Sequence, residues 1–149
     1  MGAAGFRRTG GIFVENGETA AALTNGTVVV LNRDLMFGSR ISTAARSLGY
    51  AARFVRDLPA LAGALAEPGD QPVLVVLDMN AALDWDAVAG LIAGLGGRVP
   101  VIGFGPHVDV DGRRAAKGAG LTRIVSNGEF HRDTAGFIGR YAKTTDAAS

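Results

Sequence analysis

The sequence contains no cysteine, which excludes a disulfide framework, a thiol nucleophile and a thiolate metal site. Its two histidines, His107 and His131, are too few for most histidine-built metal cages. Charge of one sign is also missing. The 15 Lys and Arg residues against 14 Asp and Glu leave a net +1, and no run of positives forms the basic face that nucleic acid requires. The longest apolar run falls far short of the ~18 residues that suggest a membrane span, and the N-terminus lacks the apolar core of a signal peptide. These absences lead to the expectation of a cytoplasmic protein with no nucleic-acid partner, no direct membrane insertion, no metal and no cofactor.

What is present is material for a core. With 149 residues, 48% of them apolar and 19% charged, the chain has the composition of one globular domain. The central stretch is Val73-Leu74-Val75-Val76-Leu77-Asp78, five consecutive apolar residues entered through Pro72 and closed by a carboxylate. Such a run reads as a strand buried on both faces, the middle of a parallel sheet. In open sheets of that kind ligands bind at the carboxyl ends of the strands, which is where Asp78 falls.

Three segments follow from the patterning. Residues 1–26 are rich in Gly, Ala and Thr, with one apolar patch at Ile12-Phe13-Val14 and a turn signal at Asn16-Gly17. They read either as a flexible extension or as an arm that orders on a partner through Phe6, Ile12 and Phe13. Residues 27–142 form the domain, and 143–149 form a polar tail.

Within the domain, Thr27–Leu31 (TVVVL) is a strand, and Phe37, Ile41, Ala44, Ala45 and Leu48 mark one face of a helix that Gly49 ends. Tyr50–Val55 reads as a more exposed strand because Arg53 interrupts it. Asp34, Asp57, Asp84 and Asp109 stand where helix N-caps belong. Val101–Phe104 and Ile124-Val125 complete five strands, and a single last helix carries Phe130, Thr134, Phe137, Ile138 and Tyr141 on one face. The glycines at 94–97 and 103–105 spell no phosphate-binding fingerprint and are assigned to turns. Strands and helices alternating at this spacing imply βαβ units, hence a doubly wound α/β domain with helices on both faces.

Leu74-Val75-Val76-Leu77-Asp78, then Val99-Pro100-Val101-Ile102, then Ala116-Lys117-Gly118-Ala119-Gly120 resemble the receiver domain of two-component response regulators over roughly Thr27 to Tyr141. The resemblance implies a receiver or flavodoxin-like sheet of order 2-1-3-4-5, with Asp78 at the phosphoacceptor position. A working receiver binds Mg²⁺ through an acidic pair after strand one. It contacts the phosphoryl group with a hydroxyl after strand four and a lysine after strand five. Here those positions match Asn32 and Arg33, with Asp34 one place late, then Gly105, then Asn127 followed by Gly128 where a cis-proline is usual.

That degenerate pocket is the pattern of a pseudo-receiver, a docking module and not an enzyme. A guanidinium at Arg33 is placed to pair with Asp78 in place of the metal; backbone amides are the other partners for that carboxylate. Trp85, His107 and the basic turn Arg113, Arg114 and Lys117 are candidate interface residues, and His131 reads as solvated surface. The run Val30-Leu31-Asn32-Arg33-Asp34-Leu35-Met36-Phe37 is similar to orphan single-domain regulators associated with respiratory NADH:quinone oxidoreductase (complex I). That likeness implies an accessory or regulatory subunit on the complex's peripheral arm, held through it at the inner membrane. Two alternatives stay open: a functional phosphoacceptor using Asp34 and Asp78, and a flavodoxin-like nucleotide or flavin binder.

Overall fold

The computed structural model describes residues 25–67 and 72–142; the expected arm with Phe6, Ile12 and Phe13, and the tail from 143, lie outside the described residues. Five strands form one parallel sheet: β1 (Thr27–Leu31), β2 (Ala51–Val55), β3 (Pro72–Asp78), β4 (Val101–Gly105) and β5 (Arg123–Ser126). Their order is β2-β1-β3-β4-β5. Every pairing is parallel, with Leu31 beside Leu77, Asp78 beside Phe104 and Gly105 beside Ser126. β3 is buried from Val73 onward, as its unbroken apolar run requires.

The helices are α1 (Leu35–Ser47), α2 (Leu58–Ala66), α3 (Trp85–Leu95), α4 (Val110–Ala119), α5 (Asn127–Arg132) and α6 (Thr134–Tyr141). Each of the four expected aspartates caps its helix: Asp34 accepts from Met36 N–H, Asp57 from Ala60, Asp84 from Asp86 and Ala87, and Asp109 from Gly112. Gly96 and Gly120, with φ of 61° and 106°, end α3 and α4 in the left-handed region.

The single last helix is corrected to two. Asp133, at ψ 54°, breaks the spiral, accepts from Gly136 N–H and starts α6 afresh. The glycines at 103 and 105 are also corrected, because they lie inside β4 and not in a turn. A Cβ on Gly103 would stand 2.6 Å from Met79 Sδ and 2.7 Å from a Leu121 methyl, and one on Gly105 would stand 3.0 Å from Met79 Cβ. The space beside β4 belongs to the Met79 side chain, so these strand positions hold glycine.

The sheet divides the interior into two layers. One holds Val28, Val30, Ile41, Leu74, Val76, Phe104, Phe130, Phe137 and Ile138. The other holds Val29, Leu31, Leu61, Val75, Leu77, Met79, Val88, Leu95 and Leu121.

Candidate functional site

Asp78 ends the central strand and is 6% exposed. Its Oδ1 accepts from the backbone N–H of Asn80 at 2.9 Å and from Asn80 Nδ2 at 2.7 Å, an Asx-type turn closed by its own next-but-one residue. Asn80 then pairs reciprocally with Asn127: its Nδ2 donates to Asn127 Oδ1 at 3.0 Å, and Asn127 Nδ2 donates back at 2.9 Å. The chain Asp78–Asn80–Asn127 therefore ties the end of β3 to the first residue of α5. Oδ2 of Asp78 makes no hydrogen bond among the described residues.

The β1–α1 loop is closed on itself. Asn32 is buried, its Nδ2 donates to Asp34 O at 2.7 Å and its Oδ1 accepts from Asp34 N–H at 3.3 Å. Asp34 is exposed and occupied as the α1 cap.

The expected Arg33–Asp78 pair does not form. Arg33 is exposed and its Nε donates to the backbone oxygen of Arg56 at 3.1 Å. The carbonyl at the end of the edge strand β2 offers the guanidinium a solvated partner, whereas reaching Asp78 requires burying a charge. Backbone amide, the other partner weighed for Asp78, is what the structure supplies.

A magnesium ion needs several anionic oxygens near one point. Among the described residues no three of His, Cys, Asp and Glu come together to hold a metal. Asp78 is one carboxylate among amides, with Asp34 engaged elsewhere and Gly105 denied a hydroxyl by Met79. The donor set does not fit the ion.

The remaining candidates scatter. Trp85 is half-buried at the start of α3 against the aliphatic layer. His107 is exposed in the loop after β4. On α4, Arg114 and Lys117 are exposed, Arg114 lies 3.7 Å from Asp111, and Arg113 is half-buried with no hydrogen-bond partner for Nη1 among the described residues. These do not converge on Asp78.

His131 is corrected from solvated surface to packed ring. It stacks on Phe37 at 3.9 Å between centroids and meets Phe104 and Phe130 edge-on at 5.1 and 5.2 Å. Both ring nitrogens are buried without a hydrogen-bond partner among the described residues. Burial pushes its pKa below the usual 6.5, helped by the Arg40 charge and opposed by Asp78 and Asp34. At the opposite edge of α5, Glu129 is held below 4.5 by hydrogen bonds from the backbone and side chain of Ser126, the two halves of a capping box.

Sequence reasoning missed Asn80 and the burial of His131. The D-x-N spacing of Asp78 and Asn80 is a local signal that reveals the first; nothing local reveals the second.

No protein-family model matches the chain, and no curated protein matches it in sequence. Solved structures do match in shape. The signal receiver domain of an HD-domain-containing protein from Pseudomonas fluorescens superposes with a TM-score of 0.67 at 15% identity, covering 79% of this chain and 87% of that one. The receiver domain of a sensor histidine kinase from Pseudomonas aeruginosa, with magnesium coordinated in its active-site cleft, gives 0.64 at 18% identity over 78% and 96%. A response regulator from Thermotoga maritima gives 0.62 at 14% identity over 78% and 96%. At such identities the likeness defines the fold: this chain has the receiver-domain fold of response regulators.

Proposed function

We propose that this chain is a pseudo-receiver, a protein-docking module of the receiver fold that works without phosphoryl transfer. The observation that carries the reading is the amide clamp at Asp78: Asn80 takes Oδ1 twice and links it to Asn127. A phosphoryl group arriving there meets two amides, no second carboxylate for a metal and no lysine. The partner this reading favours is the peripheral arm of respiratory complex I, on the likeness of the Val30–Phe37 run, with the chain acting as an accessory or regulatory subunit. Incubation with acetyl phosphate and Mg²⁺ is expected to leave the intact mass unchanged. A gain of one phosphoryl mass that vanishes in Asp78→Asn overturns the reading. Co-migration of the chain with NADH:quinone oxidoreductase activity on a native gel tests the partner, and its absence from that band removes complex I.

One observation favours a second reading. Asp78 Oδ2 has no hydrogen bond among the described residues, which leaves an oxygen to accept a phosphoryl group. The same mass measurement decides between the two.

A further inference from the structure

A cleft of about 600 Å³ lies between α1 and the edge strand β2. That volume is within the range of small-ligand pockets, roughly 300–1,000 Å³. Arg33 and Arg56 both line it, with Arg33 Nε donating to the backbone oxygen of Arg56, and no carboxylate lines the cleft among the described residues. Neither guanidinium makes an ion pair among the described residues. Each is open to an anion, and the planar guanidinium fork matches phosphate oxygens.

Two further features suit a ligand. Serines within helices commonly bond back to a preceding carbonyl, as Ser47 does to Ala44 O at 2.7 Å. Ser39 and Ser42, on the cleft wall, make no side-chain hydrogen bond among the described residues, so their hydroxyls are available. Across from them lies the half-buried ring of Phe54. Gly38 faces that ring: a Cβ there would stand 3.7 Å from a Phe54 ring carbon and 3.0 Å from Asn32 Nδ2. Its bare backbone leaves the floor of the cleft open, at the cost of a glycine inside a helix.

We propose that this cleft binds a phosphorylated small molecule with a flat apolar body, of the nucleotide class. Its phosphates sit between Arg33 and Arg56, its body lies against Phe54, and Ser39 and Ser42 hydrogen-bond its polar edge. The phosphate end of the site lies at the carboxyl ends of β1 and β2, and Asp78 is not one of its lining residues.

The test is an amide NMR titration of the full chain with ADP, pyrophosphate, adenosine and a glutamate-rich peptide in separate arms. ADP is expected to give saturable shifts confined to α1 and β2, with pyrophosphate about tenfold weaker and adenosine not saturating. Arg33→Gln combined with Arg56→Gln is expected to weaken ADP by about tenfold or more, leaving the rest of the spectrum in place. Phe54→Leu is expected to bring ADP down to the pyrophosphate level. Four outcomes overturn the proposal: no saturable shift, shifts centred away from the cleft, adenosine binding as well as ADP, or the peptide binding more tightly than ADP, which makes this a protein-docking groove.

Discussion

The two faces of the sheet solve the same packing problem with different residues. On the side covered by α1, α5 and α6, Phe104 stacks on Phe130 at 4.6 Å with rings nearly parallel, and Phe37, Phe137 and His131 close around them. On the side covered by α2, α3 and α4 the core is aliphatic, with Met79 threaded over the two glycines of β4. The aliphatic layer is set by volume alone, so it is intolerant of added atoms. The aromatic layer holds large, geometrically specific contacts and the His131 imidazole, so it is sensitive both to deletion and to pH.

The largest effect is expected where the aromatic layer loses a ring. Phe104→Ala should lower unfolding free energy by about 3–5 kcal/mol in urea denaturation, against about 2–5 for Leu77→Ala on the other face. Both residues are essentially fully buried. A cost at Phe104 below that at Leu77 breaks the contrast.

Next comes addition to the aliphatic layer. Gly103→Val is expected to destabilise by about 1–3 kcal/mol, because Met79 Sδ and a Leu121 methyl occupy the space its side chain needs. Met79→Ala in the same chain should recover part of that loss. Failure to recover any of it places the conflict elsewhere.

A pH dependence of stability comes with the aromatic face. His131 has its pKa depressed in the folded state, so below about pH 6.5 the native protein binds fewer protons than the unfolded chain. Stability is therefore greatest with the ring neutral, and falls as pH drops through 6.5 toward the folded value. The groups that set this are Arg40 on α1, Asp78 on β3 and Asp34 before α1, together with the apolar rings. Thermal melts between about pH 7.5 and 5.5 should show a decline in the wild type that His131→Phe flattens. An equal decline in both chains assigns it to other groups.

The smallest expected effect is at the α5 cap. Ser126→Ala removes the hydroxyl that accepts from Glu129 N–H and donates to Glu129 Oε1, keeps the backbone N–H bond to that carboxylate, and should cost about 1 kcal/mol near neutral pH. Glu129 is held below 4.5 first by the retained backbone bond and then by the hydroxyl, so only the hydroxyl's bond to the carboxylate is present above 4.5 and lost as pH falls through the folded value. The gap between variant and wild type should narrow in acid without closing; a constant gap argues that the hydroxyl's bond to the carboxylate takes no part.

Patterns within a few residues of one another were legible without coordinates. The five apolar runs, the helical face of α1 and the four aspartate caps all depend on contacts along the chain, and the resemblance carried by Leu74–Asp78, Val99–Ile102 and Ala116–Gly120 led to the strand order found. Local reading stopped at α5 and α6. A continuous apolar face hid the break at Asp133, because Asp133 caps a new helix with the same side chain that a solvated helical residue exposes.

What the sequence by itself determined is therefore the architecture: buried central strands, capped helices, and a carboxylate at the sheet's ligand edge, all products of periodicity and of backbone groups that must find partners nearby. What only the tertiary structure decided is the company each functional side chain keeps. Asn127 reaches Asn80 across 47 positions of chain, Arg33 turns to the carbonyl of Arg56, and His131 leaves solvent for the ring of Phe37. Those pairings arise where strands and helices from distant segments converge, and their energies depend on burial and distance, which no local spacing encodes.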